Sequence, residues 1–99
     1  MIRGTTPTLE FTLPFDVGIL AEAWVTMAQK GEVVLDKQLS ECQCGGNVLT
    51  VKLTQEETLS LKCNCLTEIQ IRVRTVDGNA LASKVMSVSP DRILKDGVI

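Results

Sequence analysis

Two Cys-x-Cys pairs are the residues of this chain whose type and spacing suggest chemistry. Cys42 precedes Cys44 by two positions, and Cys63 precedes Cys65 by two, in a chain with no histidine. Residues i and i+2 of a β-strand project from the same face, so each pair would place two thiols side by side. If the two pairs met in space, four thiolates could hold a tetrahedral zinc ion.

Two other interpretations of these cysteines stay open beside the zinc site. They are four reduced thiols serving as small apolar side chains, or one or two disulfides formed after release from the cell. Zinc folds mostly place two to four residues between paired ligands, whereas each pair here has one. We therefore predict no metal ligand and no cofactor.

The rest of the composition argues against catalysis and against nucleic-acid or membrane binding. Without histidine, no Ser, Thr or Cys nucleophile has its usual base, and no other motif arranges one, so we expect no enzyme. The formal net charge is −2 and the basic residues are scattered, unlike a nucleic-acid surface. No apolar run reaches the length that spans a membrane.

The elements that must position these residues are short strands. Apolar and polar residues alternate over 8–13, 48–53 and 68–74, each bounded by turn residues. Further strands are predicted over 21–29, 32–38 and 81–89, with another short strand possible over 39–44. Thr54 and Glu57 form a capping box that predicts one helical turn through Leu59. About seven strands in 99 residues indicate one domain, 1–99, folded as an antiparallel β-sandwich, with a partly open barrel as the alternative.

Smaller segments are less regular. Residues 15–20 are either a loop or a short helical turn begun by Asp16, residues 60–64 are expected to be extended, and the tail 91–99 is expected to hold one helical turn. Trp24 is predicted to be the core tryptophan of the sandwich rather than a ligand platform. The predicted core is Leu9, Phe11, Leu13, Trp24, Leu49, Val51, Leu53, Ile69, Ile71 and Val73.

Three segments carry a resemblance to known proteins: the start Ile2–Pro14 (IRGTTPTLEFTLP), the middle Leu53–Leu59 (LTQEETL) and the end Ile93–Ile99 (ILKDGVI). Together they resemble small proteins encoded in prophages of Gram-positive bacteria. More distantly, the chain is similar to the immunoglobulin-like N-terminal domain of phage baseplate upper proteins. The shared order is a Gly-Thr-Pro start into a Phe-x-Leu strand, a Gln-Lys-Gly hairpin, the Leu-Thr-Gln-Glu crossover and a final hairpin.

The resemblance implies an immunoglobulin-like sandwich and a structural role in a phage tail or baseplate. It implies a location in the host cytoplasm during assembly and in the virion afterwards. Baseplate proteins of that kind continue into further domains, so no receptor-binding role is carried over, and the family supplies no catalytic residues.

We expect this chain to act through protein–protein contact, with other phage structural proteins or with copies of itself as a homo-oligomer. Open sheets leave strand edges that seek partners, and a small domain has little core in which to bury a tail. The alternative for the tail is that it folds back on its own sandwich. The alternative function is a small binding or regulatory module that uses the four cysteines for zinc or redox sensing. The expected contact residues are Val33, Leu35, Ile93, Leu94, Val98 and Ile99.

Overall fold

The computed structural model describes all 99 residues and contains eight β-strands, one α-helix and two short 3₁₀ turns. None of its helices is long and apolar enough to cross a membrane. The strands are β1 (Thr8–Thr12), β2 (Leu20–Gln29), β3 (Glu32–Gln38), β4 (Gln43–Gly45), β5 (Val48–Lys52), β6 (Thr67–Thr75), β7 (Ala80–Ala82) and β8 (Met86–Val88). The helix α1 (Gln55–Leu59) lies between β5 and β6.

The strands form two antiparallel sheets that pack as a sandwich. The smaller sheet has the order β1-β5-β4, and the larger has the order β3-β2-β6-β7, with β8 also paired to β6. The strand order is the one found in immunoglobulin-like sandwiches, in which strands A, B, E and D form one sheet and C, F and G form the other, with C′ added to the second sheet in the variable type. Here β1 takes the place of strand B, and β7 and β8 share the place of strand G. No strand occupies the position of strand A beside β1.

The core lies between the two sheets and confirms most of the predicted inward positions. Eight of the ten predicted residues are buried, and Leu9 is half-buried against the same cluster. The alternation in β5 and β6 therefore indicated the correct face. The cluster of 13 residues also includes five that lie outside that set of ten, namely Leu20, Ala23, Val25, Met27 and Leu61.

Trp24 is the exception, and its predicted place in the core is wrong. Around Trp24 in β2, the alternate residues Ala23, Val25 and Met27 are buried, so Trp24 lies on the opposite, outer face and is only half-buried. Strand residues alternate between faces, so a core position for Ala23 and Val25 forces Trp24 outward. The core is built from aliphatic side chains and Phe11, without the tryptophan.

Turn chemistry explains why the hairpins close where they do. Lys30 and Gly31, with φ of 51° and 77°, join β2 to β3 as a two-residue turn of type I′, which matches the twist of the strands. Gly46 has φ of 58° in the turn between β4 and β5, where a side chain would be strained. The predicted capping box is present: Thr54 Oγ1 accepts from the Glu57 amide, and Glu57 Oε1 accepts from the Thr54 amide.

Several boundaries differ from those predicted. Asp16 does cap a short 3₁₀ turn over Val17–Ile19, one of the two possibilities open from sequence. Residues 60–64 form a turn rather than an extended stretch, and the tail 91–99 contains no helix. The single strand predicted over 81–89 is divided into β7 and β8. Between them, Ser83 Oγ accepts from the Ile71 amide at 3.1 Å, so a side chain replaces a backbone acceptor.

An ion pair ties α1 to β3. Lys37 Nζ lies 2.6 Å from Glu57 Oε2, and both side chains are half-buried. Burial alone would raise the pKa of Glu57, but the hydrogen bonds from Lys37 and from the Thr54 amide outweigh it and hold that pKa below its ordinary value of 4.5. The hydrogen bond to Glu57 raises the pKa of Lys37. The charged pair is therefore favoured in the folded state.

Replacing Glu57 with glutamine is expected to remove this contribution while keeping the capping box, which accepts either residue. Because the folded-state pKa of Glu57 is lowered, its contribution is present above the ordinary value of 4.5 and is lost as pH falls through the lowered pKa. Urea unfolding at several pH values should show wild type more stable than Glu57→Gln at neutral pH. The difference should shrink in acid, and a difference that does not change with pH would contradict this assignment.

Candidate interaction surface

The two ends of the chain are held together on one side of the sandwich. Ile2 and Asp91 form a parallel bridge, and the Arg3 amide donates to the Asp91 carbonyl at 3.1 Å. Pro90 is buried, and its carbonyl accepts from the Asn64 amide at 3.0 Å. The tail thus leaves the sandwich from a fixed point.

The far end of the tail is also tied to its own domain. The Gln55 side chain accepts from the Ile99 amide at 2.9 Å and donates to the Ile99 carbonyl at 3.2 Å. Near the start of the tail, Ile93 is half-buried, and a Cβ added to Gly4 would lie 3.0 Å from its Cδ1. The tail backbone therefore folds back on its own sandwich, which was the alternative considered from the sequence.

The outward side chains of the tail remain uncovered. Leu94 is 92% exposed and Ile99 is 88% exposed, and Val98 is exposed as well. Of the four expected contact residues in the tail, only Ile93 packs against its own domain. The other three are large apolar side chains presented on a backbone that is anchored at both ends.

The third strand, β3, exposes only one of its two expected contact residues. Met27 pairs with Leu35 and Ala28 with Val33, so Val34 is an extra residue in a β-bulge. Residues two apart share a face in a regular strand, but the bulge places Val33 and Leu35 on opposite faces. Val33 is 61% exposed, whereas Leu35 packs against the core. Of these two expected contact residues, only Val33 is available to a partner.

The four cysteines are free and do not assemble into a metal site. No group of three or more His, Cys, Asp or Glu side chains is placed to hold a metal ion. Cys42 follows a 3₁₀ turn over Leu39–Glu41, outside β4, and Cys63 and Cys65 lie in the loop between α1 and β6. Neither pair therefore lies within one regular strand, the condition on which the side-by-side arrangement depended.

The thiol of Cys42 is also difficult to deprotonate. Its Sγ lies 3.5 Å from the Gln38 carbonyl, and its side chain packs partly against the core. Burial raises the pKa of the Cys42 thiol, and the neighbouring Cys44 and Glu41 raise it further. A protonated thiol is neither a good nucleophile nor a good metal ligand, so Cys42 serves here as a small apolar side chain.

Trp24 forms a small polar and aromatic cluster on the outer face of the larger sheet. Its Nε1 donates to Glu22 Oε1 at 2.7 Å, and Arg74 lies 3.4 Å from the other carboxylate oxygen. The hydrogen bond from Trp24, followed by that from Arg74, lowers the pKa of Glu22. Arg72 pairs with Trp24 across the strands, and these four residues line a shallow depression of about 220 Å³. Every polar group of the cluster is exposed to solvent or paired within it.

A larger apolar cleft was not anticipated from the sequence. It lies between β1 and the β7–β8 edge, has a volume of about 440 Å³, and eight of its 12 lining residues are hydrophobic. Leu81 and Met86 are exposed on its far side, and Phe11 and Leu13 form its near wall. Alternation within a strand predicts which face is buried but not which strand edges remain without a neighbour, so no local pattern indicated this cleft.

Comparison of the chain with protein-family models, with curated proteins and with solved structures finds no match.

Proposed function

We propose that this chain is a structural module of a phage tail or baseplate that works through protein–protein contact. The observation that carries the proposal is the tail 91–99, whose backbone is fixed at both ends while Leu94 and Ile99 stay almost fully exposed. Exposed apolar side chains that are clustered, rather than scattered singly, commonly mark a contact surface, and Leu94, Val98 and Ile99 all lie in one six-residue stretch. Because their backbone is already ordered, a partner would bind them at a low cost in conformational entropy.

The resemblance described above supports the same surface. Ile93–Ile99 is one of the three segments similar to prophage-encoded proteins, and it is the segment that exposes these side chains. The sandwich is also the fold that the similarity to baseplate upper proteins implies. The alternative of a four-cysteine zinc module is less well supported, because the thiols are not grouped as such a site requires.

The proposal predicts incorporation of the chain into virus particles through its tail. In the strain that carries the gene, particles purified after induction should contain the wild-type chain in a fixed ratio to the tail proteins. A chain with Leu94→Ser and Ile99→Ser should be lost from the particles, because the exposed apolar contacts are removed. Quantitative mass spectrometry of the particles measures both quantities, and light scattering of the purified chains tests whether the partner is a second copy.

Val76→Ser is the matched control, since Val76 is an exposed apolar residue in the β6–β7 loop. All of these substitutions are at exposed positions and should change the free energy of unfolding by only about 0.5 kcal/mol or less. The control chain should enter particles at the wild-type level. Particles without the wild-type chain would overturn the proposed function, whereas normal incorporation of the double variant would overturn the role of the tail.

A further inference from the structure

One side of β1 has backbone groups that no strand satisfies. The Leu13 amide donates to the Asn47 carbonyl at 2.8 Å, and the Leu53 amide donates to the Pro7 carbonyl at 2.9 Å. These two bonds show which residues of β1 are hydrogen-bonded to β5. The backbone N–H and C=O groups of the odd-numbered residues point toward β5. In an antiparallel pair the alternate residues point their N–H and C=O away from the partner. Those of Thr8, Glu10 and Thr12 therefore face the open side, where β1 is the edge of its sheet.

β1 is also the sheet edge least protected against pairing. The edge strand β3 carries a bulge, β4 is three residues long, and the opposite edge of the larger sheet is divided into two strands of three residues each. Bulges and short strands are common devices that prevent edge pairing. β1 is regular over all five residues, and only Pro7 and Pro14, just beyond its ends, limit the length of a partner.

The cleft beside this edge is the space that a neighbouring strand would cover. A strand added next to β1 would turn one face of alternate side chains toward Phe11 and Leu13 on one wall, and toward Leu81 and Met86 on the other. This is the position that strand A takes in the immunoglobulin arrangement and that no strand takes here.

We propose that the β1 edge and its cleft bind an extended segment of a different protein, in which apolar residues alternate with polar ones and one polar residue is basic. Backbone hydrogen bonds to Thr8, Glu10 and Thr12 would bind the segment, and the cleft would take its apolar side chains, as in other cases of β-augmentation. This inference concerns a surface separate from the tail and does not depend on a role in phage.

The negative charge of Glu10 favours a basic partner segment over a second copy of this chain. Glu10 is the only charged residue among those that line the cleft, so a basic residue opposite it would form a favourable cross-strand pair. A second copy of β1, centred on the same edge, would place Glu10 against Glu10, and like charges directly opposite are destabilising. The tail of a second copy is also unsuitable, because Ile99 is bound to Gln55 and Gly97 has φ of 86°, which interrupts an extended strand.

The test uses two synthetic peptides, acetyl-Thr-Val-Lys-Val-Thr-Val-amide and its twin with glutamate in place of lysine, titrated into the full chain. We expect the wild-type chain to bind the lysine peptide about 2- to 5-fold more tightly than the glutamate peptide, the range of an opposite-charge cross-strand pair. The chain with Glu10→Lys should show the reverse preference. Binding should shift the amide NMR signals of Thr8, Glu10 and Thr12 and slow their exchange with deuterated solvent.

Two further variants separate binding from folding. Thr12→Pro removes one N–H from the open side without removing a bond to β5, so the variant should stay folded and bind either peptide more weakly. Leu94→Ser, on the tail surface, should bind as wild type does. No binding of either peptide, no reversal with Glu10→Lys, or signal changes confined to residues away from β1, β7 and β8 would each overturn the proposal.

Discussion

Replacing Leu49 with alanine is expected to lower the free energy of unfolding by about 2–5 kcal/mol. Leu49 lies in β5, the middle strand of the smaller sheet, pairs with Phe11 on one side and Cys44 on the other, and is 0% exposed. Alanine would remove buried methyl groups and leave a cavity between two packed sheets, where neighbours can relax only partly. Domains of this size have a total stability of about 5–15 kcal/mol, so the loss should be large.

Urea denaturation followed by circular dichroism measures this effect. Leu94→Ala is the matched control, because it makes the same chemical change at a side chain that is 92% exposed. The control should change the free energy of unfolding by about 0.5 kcal/mol or less. Equal effects of the two substitutions would mean that the Leu49 side chain is not packed between the two sheets.

Replacing Gln29 with alanine is expected to cost about 2–4 kcal/mol, which is large for a polar residue. Gln29 is buried at the end of β2, and its Nε2 donates to Thr67 Oγ1 at 2.9 Å and to the Lys62 carbonyl at 3.0 Å. Its Oε1 accepts from the Lys62 amide at 3.0 Å. Alanine would remove the buried hydrogen bond to Thr67 and the two partly buried hydrogen bonds to the backbone of Lys62. Polar groups left unpaired away from water are costly.

Gln29→Glu separates the shape of the side chain from its hydrogen bonds. Glutamate fills the same space and can still accept from Lys62, but an ionised carboxylate cannot donate to Thr67 or to the carbonyl. We therefore expect it to be destabilised at least as much as Gln29→Ala at neutral pH. Gln55→Ala is the control at a half-buried amide whose hydrogen bonds to Ile99 are exposed, and it should cost about 1 kcal/mol or less. Full stability of Gln29→Glu would show that the amide N–H groups do not matter.

The sequence predicted those elements whose signals are local. The bounds of β3 and the capping box of Thr54 and Glu57 depend on turn residues and on groups three positions apart, and both were confirmed. The central segments of β5 and β6 were confirmed because strict alternation in an antiparallel sandwich leaves one face for the core. A polar break at Ser83 and Lys84 was available as a signal for the division of the last strand, but the final strand was predicted to be continuous.

What could not be predicted depends on which strands become neighbours. Ala23, Trp24 and Val25 are consecutive apolar residues, so alternation alone did not decide their faces. The size of Trp24 favoured the core, but Ala23 and Val25 occupy the inward positions of β2, so Trp24 faces outward. The separation of the two cysteine pairs and the open side of β1 likewise follow from the order of strands, which local patterns do not contain.

The order of the strands also bears on how the chain folds in time. In the sequence, β3, β4, β5 and α1 separate β2 from its partner β6 in the larger sheet, and β2, β3 and β4 separate β1 from its partner β5. In such non-local pairings, the entropy cost of closing a long loop comes before the stabilising contacts between the strands are made. The chain should therefore fold on the order of milliseconds to seconds, as all-β sandwiches do. The β2–β3 and β4–β5 hairpins, which close locally, can form early, and the core strands β1, β5, β2 and β6 must meet in the rate-limiting step.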